Sequence, residues 1–272
     1  MTITLRPLSS ILILSLLAIT AHAQKLPNKQ ETSVYAPANI KIDGQLSEWN
    51  DQLQARNAID GIRYTISNND ENLYLTLVAP YREACRKLLR AGVTFSVSKL
   101  TDKKRKDDPL VKAVTFPVIN NAQYLALVTN LDEYATYKDN TDKSKKKRDS
   151  IVRFVNEKAN TLFTTMEIAY KTASMNNSDG IIASAQFDKN MNLVYELSIP
   201  LKYLGFNIHY TNPFSYNICL NGDEDEKKGR GRVITHSEMP APTPPPGFIP
   251  PTPDVRFMPT DFWGEYTLAK KP

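Results

Sequence analysis

The chain has few residues whose types and spacing could do chemistry. Glu167 in "MEIAY" and Glu196 in "YELSIP" are carboxylates on strand-like runs. Glycoside hydrolysis needs two such groups across one pocket. Isolated glutamates on strands are commonplace, however, and neither G-x-S-x-G nor a serine, histidine and acid constellation occurs, so an enzyme is not expected. Trp49, Trp263, Tyr81, Tyr134 and Tyr137 could stack on the C–H faces of a sugar ring, with Arg82 beside Tyr81 reading hydroxyls at its edge. The run "NGDEDE" at 221–226 has the oxygen density that calcium prefers, with Asp223 and Asp225 as the carboxylates an ion would use. It lacks the spaced D-x-D-x-D-G form, and consecutive carboxylates cannot all converge on one ion, so a solvated turn is the first reading. The histidines at 22, 209 and 236 come without H-E-x-x-H, and no C-x-x-C is present, which leaves no zinc pattern. Cys85 and Cys219 leave a disulfide open, since sequence alone cannot bring their Cα atoms within the ~7 Å a bridge requires.

The elements that must position these residues read as β-structure. "IRYTIS" at 62–67 and "LYLTLVA" at 73–79 flank the polar turn "NNDEN", and "IIASAQFD" at 181–188 returns through "KNMN" as "LVYELSIP" at 193–200. Both are hairpins by alternation and turn chemistry. Runs at 92–98, 111–119, 161–172, 214–222 and 261–270 add strands. The sum is about eight to ten strands, an all-β fold of two packed antiparallel sheets forming a β-sandwich. One or two short helices are expected, at 81–92 with Gly92 as its cap and at 149–160, together with long loop insertions. In the last strand, alternation sends Phe262, Gly264, Tyr266 and Leu268 one way and Trp263, Glu265 and Thr267 the other.

At the amino terminus Arg6, the apolar run "ILILSLLAIT" and the exit "AHA" before Gln24 have the pattern of a cleaved signal peptide over residues 1–23. The run is short for a membrane helix, which wants about 20 apolar residues, so the chain is expected not to span a membrane. An exported location, periplasmic or extracellular, follows. Beyond residue 23 the chain has 33 Lys and Arg against 29 Asp and Glu, a net charge of +4. Its basic runs, "KLTDKKRKDDPLVK" and "KDNTDKSKKKRD", are diluted by Asp and lack interleaved aromatics apart from Tyr137 at the border of the second. Nucleic acid is therefore not an expected partner. Residues 24–35 read as a flexible lead-in and 36–272 as one domain. The segment at 240–254, eight prolines in fifteen residues, is an extended loop within that domain, since the chain after it is too short to fold alone.

The ordered set "IKIDGQLSEWND" (40–51), "YTISNNDENLYLTLVA" (64–79), "GVTFSVS" (92–98), "VYELSIPLKYLGF" (194–206) and "TDFWGEYTL" (260–268) resembles the family 9 carbohydrate-binding modules and their broader relatives in exported proteins of Bacteroidetes-type bacteria. The resemblance implies a non-catalytic sandwich that binds sugar ends between stacked aromatic rings, with calcium in some members and no other cofactor. The chain departs from the family in three apparent insertions, at 99–112, 137–160 and the proline loop. It also has only Trp49 and Trp263 where sugar-clamping members pair tryptophans. Asp43-Gly44 makes a turn, and a ring at its end folds back over the sandwich, so Trp49, Asp43 and Gly44 are read as structural. Tyr81, Arg82, Tyr134, Tyr137 and Trp263 remain as ligand-binding candidates. The expected function is binding of a polysaccharide or oligosaccharide. The alternative is a structural or interaction domain that has lost the sugar clamp and docks on another cell-envelope protein.

Overall fold

The computed structural model describes residues 26–50, 52–80, 82–169, 171–222 and 258–272. The expected signal peptide and the proline loop lie outside them. The described residues form eleven strands: β1 (Ala55–Arg56), β2 (Arg63–Asn68), β3 (Asn72–Ala79), β4 (Val93–Ser98), β5 (Lys112–Phe116), β6 (Thr165–Ile168), β7 (Lys171–Ser174), β8 (Ile182–Phe187), β9 (Leu193–Pro200), β10 (Phe214–Leu220) and β11 (Thr260–Tyr266). Three helices accompany them: α1 (Arg82–Ala91), α2 (Asn121–Tyr134) and α3 (Asp142–Leu162).

The strands make two antiparallel sheets, ordered β1-β2-β3-β9-β8 and β11-β10-β4-β5-β6-β7. Period-2 alternation sends Tyr64, Ile66, Leu75, Leu77, Tyr195 and Leu197 of the first inward, against Phe95, Val114, Phe116, Phe214, Tyr216 and Ile218 of the second. The sheets meet through Tyr64 and Tyr216, whose hydroxyls lie 3.0 Å apart, and through the rings of Phe116 and Tyr195, 5.9 Å between centroids. This is a β-sandwich with one core, which continues under the inward faces of the helices. Gly264 and Tyr266 of the last strand, and Leu268 just beyond it, are buried as alternation requires, while Trp263 points out of the core.

Three local differences from the sequence reading have physical causes. The run at 161–172 is not one strand. Its first residues close α3, and the remainder folds into the β6-β7 hairpin, turning at Ala169 with φ 47°. Helix α2 was not expected because "NAQYLALVTNLDEY" is apolar on several sides and hides its period, with Leu125 exposed while Leu127, Val128 and Leu131 are buried. Its start does carry a signal: the Asn120 side chain accepts from the Gln123 N–H while the Gln123 side chain accepts from the Asn120 N–H. Helix α3 begins earlier than expected because Thr141 caps it, its hydroxyl accepting from the Ser144 N–H at 3.2 Å. Helix α1 ends as the sequence indicates, with Gly92 at φ +77° donating to the Leu88 carbonyl at 2.7 Å.

The residues read as a flexible lead-in lie along the sandwich. The Gln30 side chain is buried and bonds the Ile66 backbone both ways, accepting from its N–H at 2.7 Å and donating to its carbonyl at 2.8 Å. On the other edge of the same sheet Asn156 of α3 does the same to Phe187 of β8, at 2.7 Å in each direction. A carboxamide thus occupies both hydrogen-bonding sites of Ile66, on the flank of β2 that the two-residue β1 leaves uncovered, and of Phe187 on the edge strand β8, which blocks pairing with another chain.

Candidate functional site

The turn at Asp43-Gly44 is built on a buried carboxylate. The Asp43 side chain accepts from the Gln45 N–H at 3.0 Å and closes the turn. The N–H groups of Asp43 and Gly44 then donate to Glu196 Oε2 at 3.0 and 2.9 Å. Glycine is required at 44, where φ is +78° and a Cβ would lie 2.9 Å from both Cγ and N of Gln186. Glu196 projects from β9 to the outer face of the five-stranded sheet, where it is fully buried. Desolvation pushes its carboxyl up to about 7, against the lowering effect of the Gly44 and Asp43 N–H bonds, and the nearby Asp43 and Glu48 charges add to the rise.

Trp49 follows in a short 3-10 turn, Ser47–Trp49, that ends at Asn50 with φ 47°. The sequence placed its ring over the open end of the sandwich. It lies instead on the outer face of the five-stranded sheet, 7% exposed, in a second apolar cluster with Leu53, Val78 and Val194. Val78 and Val194 are paired across β3 and β9 on the face opposite the main core, so the arm from Val34 to Leu53 lies over that face and removes Glu196 from water.

Beside this turn is a cleft of about 840 Å³. One wall is Gly44 to Ser47 with Asn50, the other is the β8-β9 connection from Gln186 to Asn192, and Asn156 and Arg63 complete it. The wall residues are held from behind. Asp188 accepts from the N–H groups of Asn190 and Asn192 at 2.8 and 2.9 Å and from the Asn192 amide at 2.7 Å. The Tyr134 hydroxyl donates to the Lys189 carbonyl at 3.0 Å, and Asn156 is committed to Phe187. Gln45, Asn50, Gln186 and Asn190 are among the residues that line the space between, with Leu46, Phe187 and Val194 as its apolar members. Planar donor-acceptor groups can read vicinal hydroxyls, and walls already held by hydrogen bonds spare the cost of ordering the loop backbone.

The residues singled out in the sequence fall in separate places. Tyr81, Asp223 and Asp225 lie outside the described residues. Arg82, the first residue of α1, is ion-paired with Asp132 of α2, which also takes Arg86 at 2.7 Å; it fastens two helices. Tyr134 and Tyr137 are both half-buried against the core, the first supporting the cleft wall from behind and the second accepting from Arg148 through its carbonyl at 2.6 Å. Trp263 is half-buried on the edge strand of the other sheet. The Arg105 guanidinium covers its ring at 5.4 Å from the centroid and reaches Glu265 at 3.5 Å. Among the described residues, therefore, these rings do not assemble into a clamp.

Glu167 and Glu196 also part company. Glu167 faces outward from β6 of the six-stranded sheet and Glu196 from the opposite outer face, so both sheets separate them and they share no pocket. Cys85 is on the buried face of α1 and Cys219 is on β10; neither is in a disulfide. Among the described residues no group of three or more His, Cys, Asp or Glu side chains could hold a metal ion, and no described helix is long and apolar enough to cross a membrane.

Sequence reasoning missed the cleft amides. Their signals were present in the turn-forming "KNMN" and in the Gln45 that follows Asp43-Gly44, but these read as loop chemistry until the fold brings residues 44–50 against 186–192. Fold and cleft together define an antiparallel β-sandwich with a polar cleft at one end of its five-stranded sheet. Comparison with protein-family models and with curated proteins gives no match for the chain.

Proposed function

We propose that this protein is an exported, non-catalytic glycan-binding sandwich, similar in plan to the family 9 carbohydrate-binding modules, whose ligand occupies the amide-lined cleft. The observation that carries this reading is the set of four carboxamides, Gln45, Asn50, Gln186 and Asn190, around one cleft whose walls are fixed by internal hydrogen bonds. Each amide is a planar donor-acceptor group, the complement of sugar hydroxyls, and the Gln186 NH₂ also donates to Asn160 Oδ1 at 3.4 Å. The scattered rings move the proposed site away from Trp263 and the tyrosines, and recognition becomes polar rather than aromatic.

The test is a glycan array probed with residues 24–272, followed by calorimetry on the positive oligosaccharides. The reading requires saturable binding that the Gln186→Ala variant weakens by about 1–3 kcal/mol, the cost of leaving a recognised hydroxyl unpaired. A uniformly negative array, or binding indifferent to Gln186, would remove it.

A further inference from the structure

At the end of the strands remote from the cleft, the β4-β5 hairpin loop carries an apolar and cationic surface. The cleft lies where β2 begins and β3 and β8 end. The loop lies where β4 ends at Ser98 and β5 begins at Lys112. Leu110 is 78% exposed and Leu100 40% exposed. One hydrogen-bond relay closes the neck of the loop and ties the backbone at both leucines. The Ser98 hydroxyl donates to Asp108 at 2.6 Å, Asp108 accepts from the Leu110 N–H at 2.9 Å, and Ser98 Oγ accepts from the Leu100 N–H at 3.0 Å. Between the leucines a 3-10 turn, Lys103–Asp107, exposes Lys103, Lys104 and Lys106.

Of the loop's three acidic groups two are hydrogen-bonded within it, and Asp107 is exposed at the end of the turn. Asp102 caps the turn by accepting from the Lys104 N–H at 2.9 Å, and Asp108 is committed to the relay. The scaffold beneath is fixed as well: Lys99 donates to the Gly205 carbonyl at 2.7 Å and Arg105 to the Thr101 carbonyl at 2.8 Å. Two leucines are thus held outward on a rigid neck, with three lysines beside them whose side chains are not used by the fold. Ile208, 54% exposed, lies in the β9-β10 connection at the same end.

We propose that this loop docks the protein peripherally on an anionic lipid surface, the lysines contacting headgroups while Leu110 and Leu100 enter the interface. Exposed leucine flanked by lysine suits a medium with charged headgroups above an acyl phase. A soluble polyanion would satisfy the lysines and leave the leucines in water. Docking by this end turns the cleft away from the membrane. The proposal does not depend on what the cleft binds.

The test is sedimentation of residues 24–272 with vesicles, because the apolar run at 11–20 would itself carry a longer chain to lipid. Vesicles of equal parts phosphatidylglycerol and phosphatidylcholine are expected to bind the protein, and pure phosphatidylcholine vesicles are not. Leu110→Ser is expected to lower the partition coefficient about tenfold. Joint reversal of Lys103, Lys104 and Lys106 to Glu is expected to lower it about a hundredfold. The same reversal at Lys143 and Lys146, exposed lysines of α3, should have little effect. Equal loss from the α3 reversal, or binding that Leu110→Ser leaves unchanged and heparin reproduces, would overturn the proposal in favour of a general polyanion attraction. So would the absence of binding to the anionic vesicles.

Discussion

Replacing Glu196 by glutamine should change how stability depends on pH more than it changes the fold. The carboxyl is fully buried on the outer face of the five-stranded sheet, with Oε2 accepting from the Asp43 and Gly44 N–H groups. Burial lifts it from 4.5 to about 7. Because the folded state holds this proton more tightly than the unfolded chain, the contribution is fully present below about pH 4.5 and is lost as pH rises through 7. At 1.36 kcal/mol per pH unit, the rise corresponds to about 3 kcal/mol. Glutamine keeps an acceptor for the two N–H groups and cannot ionise. Urea unfolding of both proteins from pH 4.5 to 8.5 isolates the effect, since every other titrating group is common to them. The stability of the natural protein relative to the Glu196→Gln variant should fall by about 3 kcal/mol across this range, most steeply midway between the two values, near pH 6, and level off above pH 7. A difference that is flat with pH, or that favours the natural protein as pH rises, would refute the desolvation argument.

Other substitutions probe the packing. Gly264→Ala would place a Cβ 2.2 Å from the Tyr216 ring and hydroxyl; Tyr216 is fully buried and bonded to Tyr64, so calorimetric unfolding should show a loss of about 3 kcal/mol or more. Lys87 and Asp60 form a buried ion pair at 2.8 Å that joins α1 to the β1-β2 connection, and Lys87→Met should cost about 3–5 kcal/mol in urea unfolding by stranding the carboxylate. Both cysteines should titrate as thiols in urea without reductant. In the native protein Cys85, its thiol pushed up to about 12 by burial, should not react with Ellman's reagent at neutral pH, and reaction there would contradict its placement on the buried face of α1.

Much of the architecture is legible locally. The hairpins at 62–79 and 181–200 announce themselves by β-branched and aromatic runs around polar turns; β8 keeps a clean alternation, whereas β2, β3 and β9 are buried on both faces. Alternation likewise separates Trp263 from Gly264 and Tyr266. It fails where a sheet's outer face is also covered. "YELSIP" reads as a strand that exposes its glutamate, and nothing local shows that the arm from Val34 to Leu53 will close over it. Trp49 is subject to the same limit: its burial follows from turn chemistry, but which surface it covers depends on Val78 and Val194, far along the chain. The cleft is harder still, since Gln45, Asn50, Gln186 and Asn190 converge only through the pairing of β8 with β9 and the seating of the Asp43-Gly44 turn. Their residue types mark solvated turns in any sequence, and tertiary placement alone makes them a site.

The account rests on the cleft as the place where ligand binds, and a side-chain amide NMR titration tests this most directly. With an oligosaccharide added to ¹⁵N-labelled residues 24–272, the NH₂ resonances of Gln45, Asn50, Gln186 and Asn190 should shift together and saturate with one dissociation constant, while the Trp263 indole stays fixed. Saturable shifts centred on Trp263 with the four amides unmoved would contradict it.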